Sequence, residues 1–363
     1  MKPIINLVLL GRGNVGATWL NLFPEQQARY AAFADVQLIA VANSARFMFD
    51  TSGIRLAQAS EFNQLSNAGN LAQLIQKISE QKLTNVVVLD LTASQQVADS
   101  YTEFAELGWN IVSANKRPVT ASVERYKLLV QKLRSNHCYW GINATVGAAL
   151  PIQTSLQELV YAGDKVMSVA GVFSGSLSYL LTKYDGKESF TDLIKQACDA
   201  GITEPDPRDD LSGTDVQRKL LILSRIAGYI INLDDISVQP LLPDSLLEGT
   251  LADFWNRKEA IDEFMAEAFN KAKSQNARLV YCAKTRFVGK VAEGRVSLES
   301  LAETNAMSQL TPSDNVFELV TDYYQSNPLI IRGPGAGAEV TAAAVNIDLN
   351  KFITQLSASA ERL

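Results

Sequence analysis

The segment 201–225, GITEPDPRDDLSGTDVQRKLLILSR, concentrates the side chains that could do acid–base chemistry. Lys219 follows Asp215 by four residues, so the two share one face of a predicted helix that begins near Gly213. Ser212 and Asp215 have the spacing of a capping box. A lysine can give a proton to a carbonyl oxygen or take one from an alcohol, which favours a proton-transfer role for Lys219. The predicted apolar stripe of this helix consists of Val216, Leu220 and Leu223.

The same segment is crowded with acidic residues, and two prolines stiffen the loop before the helix. Carboxylates held close together in a rigid loop repel one another, which costs electrostatic free energy. A bound cation would offset this repulsion, so the segment favours a role in holding a cation such as a substrate ammonium group. The alternative is structural, with Asp215 capping the helix and Lys219 forming a weak surface pair. The carboxylates are Glu204, Asp206, Asp209, Asp210 and Asp215.

A glycine loop near the N-terminus indicates a dinucleotide site. The buried-strand run IINLVLL leads directly into GRGNVG and then into an apolar-rich helix. Gly11 permits a tight turn, Gly13 lets backbone approach a pyrophosphate, and Gly16 allows close helix–strand packing. Asn14 and Val15 lie at the predicted helix N-terminus, where N–H groups face phosphates.

The end of the second predicted strand bears on cofactor choice. An acidic residue there would bind the ribose hydroxyls of NAD, but the strand VQLIAVAN ends in Asn43 and Ser44. Arg46 follows closely, and Arg12 lies inside the glycine loop. We therefore expect NADP, with NAD as the alternative cofactor if both arginines are only solvated.

Two further buried-strand runs end in polar residues, at 85–94 and 109–119. Ligands of open α/β sheets bind beyond the carboxyl ends of the strands. The first half is thus predicted to be a Rossmann-type, doubly wound α/β domain with a parallel sheet. The side chains expected to line its crevice are Thr92, Ala93, Ser113, Asn115 and Lys116.

The pattern changes near Pro151, after which antiparallel strands and an amphipathic helix predict an appended α+β domain. A glycine turn and an alanine-rich helix close the sequence, and we expect this helix to return to the nucleotide domain. The predicted domains are 1–150 plus about 335–363 for the dinucleotide, and 151–334 for substrate binding and dimerisation.

Composition excludes several classes of function. A net charge of −6 argues against nucleic acid as the main partner. No apolar run approaches the ~20 residues that span a bilayer, so we expect no membrane insertion. The three cysteines Cys138, Cys198 and Cys282 are widely spaced, which predicts a reducing compartment, the cytoplasm. The single histidine, His137, is expected to be structural.

Six motifs together resemble the homoserine dehydrogenases, in that family's order: GRGNVG, SANK, NATVGAALPI, GVFSGSLSY, GITEPDPRDDLSGTDVQRKL and GPGAGAEVTA. NATVG and GITEPDPRDDLSG are most similar to the dehydrogenase half of bifunctional aspartokinase–homoserine dehydrogenases. The resemblance implies NAD(P)-dependent interconversion of L-homoserine and L-aspartate 4-semialdehyde, towards threonine and methionine. An aspartokinase would be a fused or a separate partner; the sequence leaves open a stand-alone enzyme or an excised half.

The resemblance also implies roles for individual residues. Lys219 would be proton donor and acceptor, and Asp215 would hold the substrate or the lysine. Glu204 would bind the substrate amino group with help from Asp210, and Lys116 would lie at the nicotinamide and substrate. Gly175 and Ser176 would contact the substrate, while Gly337 and Glu339 would close over the cofactor.

Two positions depart from many family members, which carry Tyr where this chain has Ile202 and Glu where it has Asn143. The family resemblance also implies a homodimer or larger oligomer, and a sodium ion bound through backbone carbonyls. The carbonyls in question belong to Asn143, Val146, Ala148 and Leu150.

Two other functions compete with this interpretation. A redox-sensing module would bind NADP without turnover and would need no constellation of Glu204, Asp215 and Lys219. An aspartate-semialdehyde dehydrogenase would need a thiolate nucleophile with an activating base. No cysteine has such a neighbourhood, apart from Cys138 beside His137 in the chain.

Overall fold

A computed structural model describes residues 2–289 and 291–360. The chain divides into two compact units. We call residues 1–149 with 337–363 the first unit, and residues 150–336 the second unit. The predicted domain ranges include residues 1, 290 and 361–363, which lie outside the described residues. None of the described helices is both long and apolar enough to cross a bilayer.

The strands and helices are numbered in chain order. The strands are β1 Ile4–Leu10, β2 Asp35–Ala42, β3 Arg46–Phe49, β4 Asn67–Ala68, β5 Val86–Asp90, β6 Asn110–Ser113, β7 Trp140–Gly141, β8 Val166–Val172, β9 Ile236–Val238, β10 Ala277–Val288, β11 Val291–Ala302, β12 Asp314–Thr321 and β13 Leu329–Pro334. The helices are α1 Asn14–Tyr30, α2 Leu56–Ser60, α3 Phe62–Leu65, α4 Leu71–Glu80, α5 Gln95–Asp99, α6 Tyr101–Glu106, α7 Val123–Ser135, α8 Ile152–Tyr161, α9 Gly175–Lys183, α10 Phe190–Asp199, α11 Pro207–Leu211, α12 Thr214–Ile226, α13 Asp244–Leu247, α14 Leu251–Asn256, α15 Lys258–Ser274 and α16 Ala338–Ala360.

The first unit is built on a sheet with the order β4-β3-β2-β1-β5-β6-β7. Strands β2, β1, β5, β6 and β7 run parallel, whereas β3 and β4 add an antiparallel edge that the sequence analysis did not predict. Alternate residues of β1 enter different cores, with Leu7 and Leu9 on one face and Val8 and Leu10 on the other. Both faces are therefore covered, as a parallel sheet requires, and the predicted Rossmann-type class is confirmed.

The small-residue helix α16 packs against α1. Trp19 is fully buried, and its Nε1 donates to Asn346 Oδ1 at 2.8 Å. Alanines 342 and 344 are fully buried in the same core as Trp19. Small side chains let the two helices approach closely, which is why an alanine-rich sequence suits this position.

The second unit is built on a sheet with the order β13-β12-β8-β10-β11-β9. Its neighbouring strands pair antiparallel, except that β9 pairs parallel with β11. Helices α9 and α12 both contact β10. This arrangement confirms the predicted second domain of mixed helices and antiparallel strands.

The start of α12 differs from the predicted capping box. Its N-cap is Gly213, at φ +73°, and no side chain caps the helix there. Ser212 instead ends α11, with its hydroxyl donating to the carbonyl of Asp209. A Cβ at residue 213 would lie 2.0 Å from the Tyr281 hydroxyl, so both backbone conformation and space require glycine. The predicted stripe of Val216, Leu220 and Leu223 is buried.

A buried carboxylate fastens the turn after β7 to α16. Asp348 is 1% exposed, and its Oδ2 accepts from the backbone N–H of Asn143 at 2.8 Å. The Asn143 side-chain amide donates to Oδ1 of the same carboxylate. Burial raises the pKa of Asp348, and the hydrogen bonds from Asn143 oppose that rise.

We expect Asp348→Ala to lower the free energy of unfolding by ~2–4 kcal/mol, because two buried donors each lose an acceptor at about 1–3 kcal/mol. Urea unfolding followed by tryptophan fluorescence measures the change. The control is Asn350→Ala, an exposed position on the same helix, which we expect to change stability by no more than ~0.5 kcal/mol. Equal effects of the two substitutions would contradict the assignment.

Candidate functional site

The glycine loop of the first unit has the geometry that a dinucleotide phosphate needs. Gly11 has φ +99°, and a Cβ there would lie 2.6 Å from the Leu91 carbonyl oxygen. A Cβ on Gly16 would lie 2.1 Å from the carbonyl oxygen of Gly11. A Cβ on Gly13 would instead meet no described atom within 4 Å, so this side of the loop is open.

The N-terminus of α1 completes this cradle. No side chain caps the helix at Gly13, and its first turn carries no acidic residue. The N–H groups of the first turn, those of Asn14, Val15 and Gly16, have no acceptor within the helix. A helix N-terminus of this kind favours an anion, so these residues fit the pyrophosphate of a nicotinamide dinucleotide.

A pocket of about 220 Å³ lies beside the glycine loop in the first unit. It brings together residues that follow three neighbouring parallel strands, β1, β2 and β5. Predicted cofactor-binding residues Gly11, Ser44, Thr92 and Ala93 line it, together with Leu10, Ala42, Asn43, Leu71, Ser94, Gln96 and Val97.

Asp90, which was not among the predicted site residues, organises the loops around this pocket. Asp90 is fully buried at the end of β5. Its Oδ1 accepts from the N–H and hydroxyl of Thr92 at 3.0 and 2.7 Å, and its Oδ2 accepts from Asn115 Nδ2 at 2.9 Å. The Tyr101 hydroxyl also donates to Oδ2 and lies 2.7 Å from the Ser113 hydroxyl. The sequence signal that could have revealed this role is an acid at the end of a buried-strand run, followed by Thr92 and Ser94.

Burial raises the pKa of Asp90, and the hydrogen bonds from Thr92, Asn115 and Tyr101 oppose this rise. Predicted site residues Thr92, Ser113 and Asn115 thus belong to one hydrogen-bonded network. Lys116, which follows directly, is half-buried. Gly337 and Glu339 lie exposed at the start of α16.

The two arginines predicted to select NADP hold neighbouring backbone. Arg12 Nη2 donates to the Ala59 carbonyl at 2.9 Å, and its guanidinium carbon lies 4.5 Å from the centre of the Phe62 ring. Arg46 Nε donates to the Ser66 hydroxyl at 2.8 Å, and its Nη2 donates to the Ser66 carbonyl. Neither arginine lines the pocket, whereas Ser44 does.

In the second unit, Lys219 is buried, with 9% of its surface exposed, and its Nζ has two partners. Nζ donates to the carbonyl oxygen of Phe173 at 2.7 Å and lies 2.8 Å from Asp215 Oδ2. The predicted pairing of Asp215 with Lys219 is therefore present. Because the Asp215 side chain remains 48% exposed, one face of this pair stays accessible.

Asp210 links the loop before α11 to the start of α9. Its Oδ1 accepts from the Ser176 hydroxyl at 2.5 Å, and its Oδ2 accepts from the backbone N–H of Glu204 at 2.8 Å. Burial raises the pKa of Asp210, hydrogen bonds from Ser176 and Glu204 lower it, and the nearby charges of Asp215 and Lys219 act in opposite directions. Gly175 is the first residue of α9, so the predicted substrate-side residues form one cluster.

The remaining acids of the segment do not join this cluster. Asp206 caps α11 and forms a salt bridge with Arg208 at 2.5 Å, and hydrogen bonding to Arg208 lowers its pKa. Asp209 is exposed. Asp206 was not among the acids predicted to bind substrate, and its pairing with Arg208 gives it a structural role.

The group that accepts a hydrogen bond from Lys219, the Phe173 carbonyl, was also not among the predicted site residues. The Phe173 carbonyl accepts from both Lys219 Nζ and Asn315 Nδ2, the latter at 3.2 Å. Asn315 is fully buried, and a Cβ at Gly335 would lie 2.1 Å from its Nδ2. The glycine-rich motif near residue 335 thus leaves room for the amide that supports Phe173.

The turn predicted to hold sodium has an unusual backbone. Gly147 and Ala148 have φ values of +74° and +49°. The side-chain amide nitrogen of Asn143 is bound to Asp348, as described above, and the predicted ligand is the backbone carbonyl of this residue. His137 lies on an exposed turn at φ +55°, and the three cysteines are unpaired.

Known protein families match both units. The model described as homoserine dehydrogenase matches residues 151–349, and the model described as homoserine dehydrogenase, NAD binding domain, matches residues 11–143. The chain belongs to the homoserine dehydrogenase family. Its first unit accordingly contains a domain that binds a nicotinamide cofactor. Neither family model supports the alternative of a redox-sensing module.

Individual relatives agree with this family. Bifunctional aspartokinase/homoserine dehydrogenase 2 of Escherichia coli is 39% identical over 96% of this chain and 43% of its own length. A chloroplastic bifunctional aspartokinase/homoserine dehydrogenase 1 of Zea mays is 36% identical over 98% of this chain and 39% of its own length. The chain therefore spans about two fifths of the curated relatives that it matches.

Solved structures share the fold. A protein of unknown function from Candida auris is 31% identical with a TM-score of 0.86, covering 97% of this chain and 98% of that one. A putative homoserine dehydrogenase from Archaeoglobus fulgidus has a TM-score of 0.77 over 96% of this chain and 99% of its own. At 22% identity, the latter supports the fold alone.

Asp210 leads to a pH prediction. Its pKa is raised, so the carboxylate that accepts from Ser176 and Glu204 is lost as pH falls through a value above the usual ~3.9 of aspartate. We expect kcat/KM for the reaction proposed below to fall along the same acid limb. Asp210→Asn should remove this limb and lower kcat/KM at neutral pH at least ~10-fold, since a hydrogen bond to a charged group contributes ~1.5–3 kcal/mol.

The matched control is the exposed neighbour Asp209, as Asp209→Asn, which should retain the acid limb. An unchanged limb in Asp210→Asn would assign the titration to another group.

Proposed function

We propose that this chain catalyses the NAD(P)-dependent interconversion of L-homoserine and L-aspartate 4-semialdehyde, a step in amino-acid biosynthesis. The observation that carries the proposal is Lys219, a buried lysine whose Nζ lies 2.8 Å from a half-exposed carboxylate within the segment matched by the family model. The first unit would bind the dinucleotide, and the second would bind the substrate and provide a dimer interface.

In the proposed reaction the bound nicotinamide supplies the hydride acceptor or donor. In its neutral amine form Lys219 takes the proton from the homoserine hydroxyl while the hydride leaves to the cofactor, and in its ammonium form it gives that proton to the aldehyde oxygen in the reverse direction. Asp215 and the Phe173 carbonyl fix the position of Nζ, since both lie within 2.8 Å of it. The lysine therefore needs no large rearrangement to meet a hydroxyl beside it.

Substrate recognition follows from the charges of the same cluster. Glu204 and Asp210 would hold the substrate ammonium group, because a carboxylate pairs well with an amine in a partly buried site. Gly175 and Ser176 would contact the substrate from the start of α9. Lys116 would lie at the nicotinamide and substrate, and Gly337 and Glu339 would close over the cofactor.

Purified protein with L-homoserine and NADP⁺ should produce reduced cofactor, measured by its absorbance. Lys219→Ala should lower kcat by ~10²-fold or more, as expected for loss of a general acid–base group, with NADP affinity unchanged. Lys195→Ala, at an exposed position of α10, is the control and should retain activity. Full activity of Lys219→Ala with intact folding would remove this residue from the mechanism.

We propose NADP as the preferred cofactor. The supporting observations are Ser44, which stands in place of an acid in the pocket of the first unit, and Arg12 and Arg46, which follow the pocket residues Gly11 and Ser44 closely in the chain. Each arginine has N–H groups beyond those bonded to Ala59 and Ser66, because a guanidinium carries five donors. The Nε of Arg12 is buried without a partner among the described residues.

The ratio of kcat/KM for NADP⁺ to that for NAD⁺ should exceed one. Arg46→Ala should reduce this ratio about 10-fold through loss of a charge-assisted bond to the 2′-phosphate. Activity with NAD⁺, which lacks that phosphate, serves as the internal control and should be little changed. A wild-type ratio favouring NAD⁺ would refute the roles of Arg12 and Arg46.

Three further assignments extend the proposal. A sodium ion would bind to the carbonyls of Asn143, Val146, Ala148 and Leu150, supported by the positive φ of residues 147 and 148. The chain would act as a homodimer or larger oligomer, joined to or accompanied by an aspartokinase, as in its bifunctional relatives. The unpaired cysteines are consistent with the cytoplasm.

A further inference from the structure

The second unit contains a cavity of about 330 Å³ whose lining includes none of the proposed active-site residues. Its volume lies at the lower end of the range for small-molecule sites. Four segments enclose it: the outer half of α9, the C-terminal half of α15, the first residues of β10 and the loop after β11. We call it the α9–α15 cavity.

The wall of the cavity is apolar and partly aromatic. Tyr184 and Phe269 meet edge to face with ring centres 5.3 Å apart. Tyr281 and Met307, both buried, also line it. Such a lining favours a ligand with a sizeable apolar or aromatic side chain.

One polar group in the wall lacks a partner. The Ser178 hydroxyl is buried, with the residue 3% exposed, and makes no hydrogen bond to any described residue. A buried hydroxyl without a partner is costly. A ligand bearing a hydrogen-bonding group near the end of its apolar body would relieve that cost.

The rim carries both signs of charge. Lys273 and Arg278 provide cations, and Glu303 and Asp185 provide carboxylates. Arg278 and Glu303 are 3.3 Å apart yet 59% and 64% exposed, so this pair is weak and can exchange partners. Asp185 also pairs with Lys187 at 2.8 Å, but both side chains are more than half exposed, so this pair is weak too. A ligand with a single charge would meet repulsion from one half of the rim, whereas a zwitterion can pair with both halves.

Two walls of the cavity lead to the proposed active site. Ser178 and Thr182 lie on α9, whose first turn carries Ser176, the donor to Asp210. The second wall includes Tyr281, which contacts α12. The Tyr281 hydroxyl lies beside Gly213, the N-cap of this helix, which also bears Lys219. A ligand that shifts either wall would move groups bonded to the substrate-side cluster.

We propose that the α9–α15 cavity binds a free L-α-amino acid with an aromatic side chain, and that this ligand modulates turnover. The carboxylate pairs with Lys273 and Arg278, and the ammonium group pairs with Asp185 and Glu303. The side chain enters the cavity, where a phenol hydroxyl reaches Ser178. The modulation rests on the proposed function, whereas the binding does not.

The test is calorimetric titration of the full chain with L-tyrosine and L-phenylalanine, which is independent of activity. We expect saturable binding of one molecule per chain with a Kd below ~1 mM, equivalent to about −4 kcal/mol. Tyramine lacks the carboxylate and 3-(4-hydroxyphenyl)propionate lacks the amine; each should bind at least ~10-fold more weakly, since each loses a charged pair. Ser178→Ala should abolish the preference for tyrosine over phenylalanine.

Thr182→Trp fills the cavity from an exposed position and should weaken binding at least ~10-fold, whereas Lys183→Trp, the next residue and outside the lining, should leave it unchanged. In the dehydrogenase assay, saturating ligand should change KM for homoserine at least ~5-fold in wild type and not in Thr182→Trp.

Absence of saturable binding, equal binding by the two tryptophan variants, or equally tight binding of a singly charged analogue would each overturn the site. Binding as expected in a chain without dehydrogenase activity would keep the site and refute the proposed function instead. Binding without any change in KM or kcat would overturn the modulation alone.

Discussion

The second unit is organised around one requirement, that the buried charge of Lys219 be paired. A charged group taken out of water is stable only with partners that replace its hydration. Here the partners are Asp215, one helical turn away, and the Phe173 carbonyl, which lies between β8 and α9. Meeting this requirement joins α12 to the strand and helix that carry the substrate-side residues, so the pairing that stabilises the fold also sets the position of the proposed proton-transfer group.

The first unit likewise contains a buried ionisable group, here a carboxyl, whose hydrogen-bond partners come from neighbouring loops. Asp90 is fully buried and accepts from side chains on the loops that follow β5 and β6. These hydrogen bonds oppose the desolvation that raises its pKa. The polar residues at the strand ends are thereby fixed rather than mobile, which lowers the ordering cost of binding a cofactor.

The acidic segment before α12 divides into three kinds of carboxylate. Asp206 stabilises the loop through its cap and its pair with Arg208, Asp210 bridges that loop to α9, and Asp215 holds Lys219. Acidic residues that look equivalent in the sequence therefore have different roles, Asp206 in the stability of the loop and Asp210 and Asp215 in the proposed active site. Because α9 and Tyr281 also form walls of the α9–α15 cavity, the substrate-side cluster is sensitive to what that cavity contains.

The sequence by itself determined the features that depend on local geometry. Glycine spacing, strand-length apolar runs and the four-residue separation of Asp215 and Lys219 follow from backbone sterics and helix periodicity, and they predicted the fold class and the lysine–carboxylate pair. Tertiary structure decided which polar groups are buried and what they contact. Lys219 meets Phe173 across 46 residues, and Asn315 reaches the same carbonyl across 142. No local rule connects such positions. Tyr281, also distant in sequence, lies beside Gly213, the residue that takes the N-cap position in place of the predicted Ser212.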